Sequence, residues 1–247
     1  MKTTIKNLIY SMSICCIFFA CNNDLGESSN QLNSSKETTI SFIYDGELYT
    51  SQCLETEDTI IILDKSTQLI AEKLSTLPRL TTIVSPDSVK PIMYFDTPED
   101  AERYFNWTDV SNDIMTKSET TTLFVNLFED NTYRGWKINK SIPFGSFVEE
   151  PGLGGKNEKI SSLQIWHSLG YMDTDAVNQK VGAVKLFEDK NYEGSSIYFY
   201  VTVQHVTNYV KNLKDYPLYP GSKRNWGDRT CSYKAGYKTL SELPNWK

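Results

Sequence analysis

The 247-residue chain is poor in the residue types that announce chemistry. It has two histidines, His167 and His205, and neither has a partner at metal-ligand spacing or a flanking Cys. No Gly-x-Ser-x-Gly occurs, and no nucleophile, base and orienting acid can be assembled, so the sequence gives no reason to expect an enzyme. It has no basic run. The formal charge is -6, and without residues 1–20, which hold Lys2 and Lys6, 23 basic residues face 31 acidic ones, a charge of -8. That balance argues against a nucleic-acid partner and against electrostatic docking on an anionic bilayer. Of five cysteines, Cys15, Cys16 and Cys21 sit near the start, and only Cys53 and Cys231 lie in the body. Two such residues make neither a disulfide framework nor a zinc motif, and one bridge or two free thiols both stay open. No apolar run reaches the length of a permanent membrane span.

Aromatics are abundant, at 13% with 15 Tyr, which favours strands. The dominant pattern is a repeat. Phe128-Glu129-Asp130-Asn131-Thr132-Tyr133-Arg134-Gly135 returns 59 residues later as Phe187-Glu188-Asp189-Lys190-Asn191-Tyr192-Glu193-Gly194, so both read F-E-D-x-x-Y-x-G. Each follows an apolar run, 122–127 or 181–186, and so closes a strand on a Gly-bearing turn. Each is followed by a second turn and strand. Asn157-Glu158-Lys159-Ile160-Ser161-Ser162 leads into 163–166, and Gly227-Asp228-Arg229-Thr230-Cys231-Ser232 leads into 233–235. Consecutive hairpin strands with a last strand returning over a long connection make a Greek key.

On these residues, 122–247 resembles a βγ-crystallin domain. In that family an aromatic-x4-aromatic-x-Gly hairpin is pinned by a later Ser. Phe128, Tyr133, Gly135 and Ser162 match once, and Phe187, Tyr192, Gly194 and Ser232 match again. The resemblance implies a mainly β fold, a double Greek-key sandwich. Many microbial members bind calcium through N/D-N/D-x-x-S/T-S turns. Carried over, the ligands are Asn157, the Lys159 carbonyl and Ser161 in one turn, and Asp228 and the Arg229 carbonyl in the other. The carbonyls of Glu129 and Glu188 close the sites, and the two turns share ligands. Glu158, Gly227 and Cys231 depart from the pattern, and a soft thiol is a poor calcium ligand. At least one site is damaged, and weak calcium binding and a metal-free structural domain both stay open.

Upstream, residues 38–110 read as a small α+β domain, joined by a linker at 111–121. Strands are expected at 38–44, 47–51, 59–63 and 92–95, with Asp45-Gly46 as a hairpin turn. A helix is expected over 66–77, ended by Pro78. A second starts at Thr97-Pro98 and runs to Phe105. Residues 1–20 have the basic start and twelve-residue apolar run of a signal peptide. Ala20-Cys21 resembles a bacterial lipoprotein signal, which implies acylation of Cys21, 21–37 as a polar tether, and anchoring of the body to the cell envelope, the outer membrane of a diderm bacterium. A protein or glycan partner is left open. Two loops are candidate binding elements. One is 147–156. The other is the longer 205–224, with Tyr209, Tyr216, Pro217, Tyr219 and Pro220, whose length also admits a protease inhibitor built on this fold.

Overall fold

The computed structural model describes residues 35–87, 90–103, 105–106, 121–144, 146–168, 180–202 and 205–240. The expected signal peptide, Cys21, most of the tether and nearly all of the linker lie outside them.

The first Greek key contributes β7 (Thr122–Asp130), β8 (Arg134–Pro143), β9 (Phe147–Glu150) and β10 (Ser162–Ser168). The second contributes β11 (Lys180–Phe187), β12 (Ser196–Val201), β13 (Thr207–Val210) and β14 (Ser232–Leu240). The third strand of each key joins the other key's sheet. One sheet runs β13-β10-β7-β8, and the other carries β12-β11-β14 with β9 on β14. Alternate residues of both sheets meet in one core. Leu123, Val125, Leu127, Leu163 and Ile165 from one face Val184, Leu186, Ile197, Phe199, Tyr233 and Ala235 from the other. This is period-two burial with one face of each sheet inward.

The upstream segment forms β1 (Lys36–Tyr44), β2 (Glu47–Glu55), β3 (Ile60–Ile62), α1 (Lys65–Ser75), β4 (Thr81–Val84), β5 (Ile92–Phe95), α2 (Pro98–Glu102) and β6 (Phe105–Asn106). Asp45 and Gly46 both take positive φ, 52° and 77°, as a tight two-residue hairpin requires. The first helix begins one residue early because Asp64 caps it: its carboxylate accepts from the Thr67 amide at 2.7 Å and from the Ser66 and Thr67 hydroxyls. It ends at Ser75, short of Pro78. Thr97 caps the second helix as expected, but that helix stops at Glu102 and the chain turns extended at Phe105.

The expected pause between two domains is not a break in the hydrogen bonding. β4, which the sequence reading passed over, pairs in parallel with β12 through Thr81–Ser196 to Val84–Phe199. The order β3-β2-β1-β5-β4-β12-β11-β14-β6 is therefore one continuous sheet. The described residues accordingly fall in one compact unit. The upstream segment also covers the outer face of that sheet. Ala101 of α2, Ile83 and Met93 pack with Val181, Ala183, Tyr198 and Tyr200. β11 and β12 are thus buried on both faces, which explains why their sequences are nearly continuous apolar runs rather than alternating ones.

Lys185 interrupts the run on β11. Its side chain is 2% exposed, 3.5 Å from the Glu102 carboxylate of α2. Its ammonium sits 4.8 Å from the Phe187 ring centre and 4.6 Å from that of Tyr198. Burial pushes its pKa down to about 8, although Glu102 pulls the other way.

The 205–224 loop faces inward more than expected. Tyr216 packs edge-on against Phe199 at 5.2 Å, and Tyr219 joins the cluster of Phe42, Leu74, Leu80 and Tyr94. A Cβ on Gly221 would lie 3.1 Å from Ile62, and Lys223 pairs with Glu55 at 2.5 Å. The loop straps the β1–β3 end of the long sheet to the sandwich. Of its tyrosines, only Tyr209, on β13, is exposed. His167 is buried, with Nε2 at 3.1 Å from the Thr202 carbonyl, and burial lowers its pKa.

Candidate metal centre

The site is built on the two repeated hairpins, which fold alike. Thr132 and Asn191 both sit at φ 56°, Tyr133 and Tyr192 at 65°, and Gly135 and Gly194 at 76° and 73°. At Gly135 a Cβ would lie 2.8 Å from that of Glu129, so the turn demands glycine for space as well as for φ. Each tyrosine ring leans on its phenylalanine, at 5.6 Å for Phe128–Tyr133 and 5.5 Å for Phe187–Tyr192. Each serine bridges its hairpin. Ser162 Oγ accepts from the Tyr133 amide at 3.1 Å and donates to the Asp130 carbonyl at 2.6 Å. Ser232 does the same for Tyr192 and Asp189 at the same distances.

The turns preceding these serines cross between the keys. The Ser161 amide donates to the Phe128 carbonyl and the Cys231 amide to that of Phe187, both at 2.9 Å. The Asp228 amide donates to Ile160 at 3.1 Å and the Glu158 amide to Thr230 at 2.9 Å. Glu158 and Asp228 hold positive φ, 55° and 57°. The second residue of each turn is thereby carried to the partner turn. The candidate ligands therefore do not divide turn by turn: the two turns are shared between the two positions. Asp228 meets Ser161 of the first turn, whose hydroxyl donates to its carboxylate. Glu158 meets Cys231 of the second turn, 3.9 Å from the thiol.

The two pairs differ in chemistry. Asp228 and Ser161 open on a surface depression also lined by Glu129, Asp130, Glu158 and Lys159. Oxygen donors dominate it, which suits a hard cation. Lys214 is the competing charge, 4.0 Å from Asp228. At the second position the Glu188 carboxylate is already held by Arg229 at 2.7 Å and lies 3.6 Å from Arg224. Cys231 is a free, buried thiol whose pKa is raised by burial and by the Glu158 and Asp189 carboxylates. Asn157 is turned to its own loop, where its side-chain oxygen accepts from the Leu153 amide at 2.9 Å. Cys53 is also free and buried, so the two body cysteines do not pair. Among the described residues no cluster of three or more His, Cys, Asp or Glu surrounds one point, so any metal here leans on carbonyl, hydroxyl and water oxygens. Sequence reasoning missed Lys214 and the Arg229–Glu188 pair. Nothing in the turn's own spelling points to a lysine 14 residues upstream.

No protein-family model and no curated protein matches this chain. Among solved structures, a βγ-crystallin from Ciona intestinalis is similar at 20% identity, over 44% of this chain and 95% of that one, with a TM-score of 0.26. A score that low carries no weight beside the topology. No helix among the described residues is long and apolar enough to cross a membrane. By its two Greek keys, their intermixed sheets and the twin serine-pinned hairpins, the sandwich is a βγ-crystallin-like fold.

Proposed function

We propose that this is an exported, lipid-anchored binding protein, not an enzyme, whose sandwich takes one calcium ion weakly. The observation that carries the calcium reading is the meeting of Ser161 and Asp228 across the two turns, in a depression lined by Glu129 and Lys159. Ser161 and Asp228 would hold the ion with backbone carbonyls. Calcium wants six to eight oxygens, so waters complete the shell and affinity falls in the weak range of extracellular modules, about 10⁻⁴–10⁻³ M. The second position is the poorer one for a cation, because Arg229 already brings positive charge to Glu188.

The anchoring reading rests on residues 1–21 alone, and mass spectrometry of the mature N-terminus tests it: an unmodified Cys21 rejects acylation. For calcium, the full chain is melted with 5 mM calcium and with chelator. Binding in that range adds about 1–2 kcal/mol by mass action, a rise of roughly 2–8 °C for a body of this size. Asp228→Asn removes the rise and Glu188→Gln leaves it. A midpoint that ignores calcium sinks the reading. The inward packing of Tyr216 and Tyr219 favours this reading over protease inhibition through the long loop.

A further inference from the structure

We propose that the outer face of the four-stranded sheet binds a neutral oligosaccharide. The proposal is independent of the calcium site. The strand register lays two rows across β13, β10, β7 and β8. One row is Thr207, Trp166, Phe124 and Ser141; the next is Tyr209, Gln164, Asn126 and Asn139. Their neighbours along each strand, such as Leu123, Val125, Leu163 and Ile165, are fully buried, so these eight point the other way. Asn139, Ser141, Thr207 and Tyr209 are exposed, and the other four are half-buried among them.

The chemistry of the rows is selective. They hold three aromatics, three amides and two hydroxyls, with no acid or base. With 23% of the chain charged, about two of eight positions would carry charge by average usage, and more on a surface. Phe124 and Trp166 stack at 5.0 Å with planes 12° apart. Tyr209 stands 52% exposed, its ring fixed edge-on to Tyr133 at 6.4 Å. Rigid aromatic bodies offer apolar contact at little entropic cost. Between them Asn126 donates to Gln164 at 3.5 Å, a long bond that uses one donor and one acceptor of the pair. Each amide carries two donors and one acceptor, so the row keeps capacity for hydroxyl groups. A sugar presents just this mixture: a C–H face for an aromatic ring and a fringe of hydroxyls for amides. Four strands span roughly 14 Å, room for a short chain of rings.

Other occupants fit less well. An anionic ligand finds no base within either row. A lipid surface meets five polar side chains out of eight. A protein partner favours an apolar centre with Arg or Met among the aromatics, and the centre here is amides.

The test is affinity electrophoresis of the full chain in native gels containing dextran, galactomannan, xyloglucan or mixed-linkage glucan, with polygalacturonate as the anionic arm. Retardation by at least one neutral polysaccharide is expected. Tyr209→Ala and Gln164→Ala should each weaken it about tenfold, the loss of one good contact. Tyr209 is exposed and Gln164 lies half-buried on the sheet's outer face, so both melting midpoints should stay near the parent's, and Glu72→Ala on α1 should change nothing. No retardation in any neutral gel overturns the proposal. So does retardation only in polygalacturonate, retardation that both variants preserve, or a concentration-dependent dimer that Tyr209→Ala dissolves.

Discussion

Replacing Lys185 by methionine should stabilise the protein at neutral pH, and the gain should shrink as pH rises above 8. Lys185 is a buried cation whose folded-state pKa lies at about 8 against an ordinary 10.5. A displacement of that size corresponds to roughly 3 kcal/mol by which the fold favours the neutral amine. The sign follows from proton counting. Between pH 8 and 10.5 the unfolded chain holds this proton more tightly than the folded one, so stability rises with pH across that window. Below pH 8 the whole cost of burying the charge is present. Methionine has similar reach and carries no charge, and replacing a buried ion pair by apolar groups is typically neutral or favourable by about 1–4 kcal/mol. Glu102, left behind, is 40% exposed and stays hydrated.

One effect opposes this. The ammonium lies within 5 Å of two ring centres, and each such contact favours the charged form by about 0.5–2 kcal/mol. Urea unfolding of both proteins from pH 6 to 9 decides between them. If desolvation dominates, Lys185→Met is more stable by about 2 kcal/mol up to pH 7, and the gap narrows by about 1.4 kcal/mol at pH 9. A variant less stable throughout, or a gap that ignores pH, refutes the reasoning and assigns the lysine to its rings and Glu102.

Ser162→Ala and Ser232→Ala should cost nearly the same, about 1–2 kcal/mol each, since each strands one partly buried backbone amide and one carbonyl in equivalent geometry; thermal or urea unfolding that shows one of them neutral breaks the claimed equivalence of the hairpins. Residues 120–247 expressed alone should self-associate or precipitate. They would bare the β12 edge and the apolar face of Val181, Ala183, Tyr198 and Tyr200; a monomer in analytical ultracentrifugation with the parent's melting midpoint rules that out. Ile83→Ala, a fully buried change on β4, should lower stability by about 2–5 kcal/mol in a single transition, whereas two separated transitions in the melt would restore independent domains.

Much of the sandwich is legible in the sequence because its signals are local. A positive-φ glycine, an aromatic two residues before it and a serine on a later strand each leave a mark at fixed spacing, and the mark occurs twice. The sharing of one sheet by both halves is not legible, for a physical reason. β4 is four residues, Thr81–Val84, with all four buried and no alternation. It pairs with a strand more than a hundred residues away, and parallel pairing leaves no turn in the sequence to announce it. One clue was present. Val181-Gly182-Ala183-Val184-Lys185-Leu186-Phe187 is too apolar for a strand with a wet face, and Lys185 inside it needs an acid from elsewhere. That acid is Glu102, on the helix whose Thr97-Pro98 start was plain.

The candidate site divides in the same way. Its turns are spelled out, but which residue faces which is set by where the crossing amides place Glu158 and Asp228. Those backbone bonds are equivalent in the two halves, so the scaffold is nearly two-fold symmetric down to tenths of an ångström. The side chains then break the symmetry. One crossing brings carboxylate to hydroxyl beside more oxygen; the other brings carboxylate to thiol beside an arginine already paired with Glu188. Calcium bound at the first crossing would add its mass-action increment to the stability of this scaffold, and chelator should lower the melting midpoint by that amount.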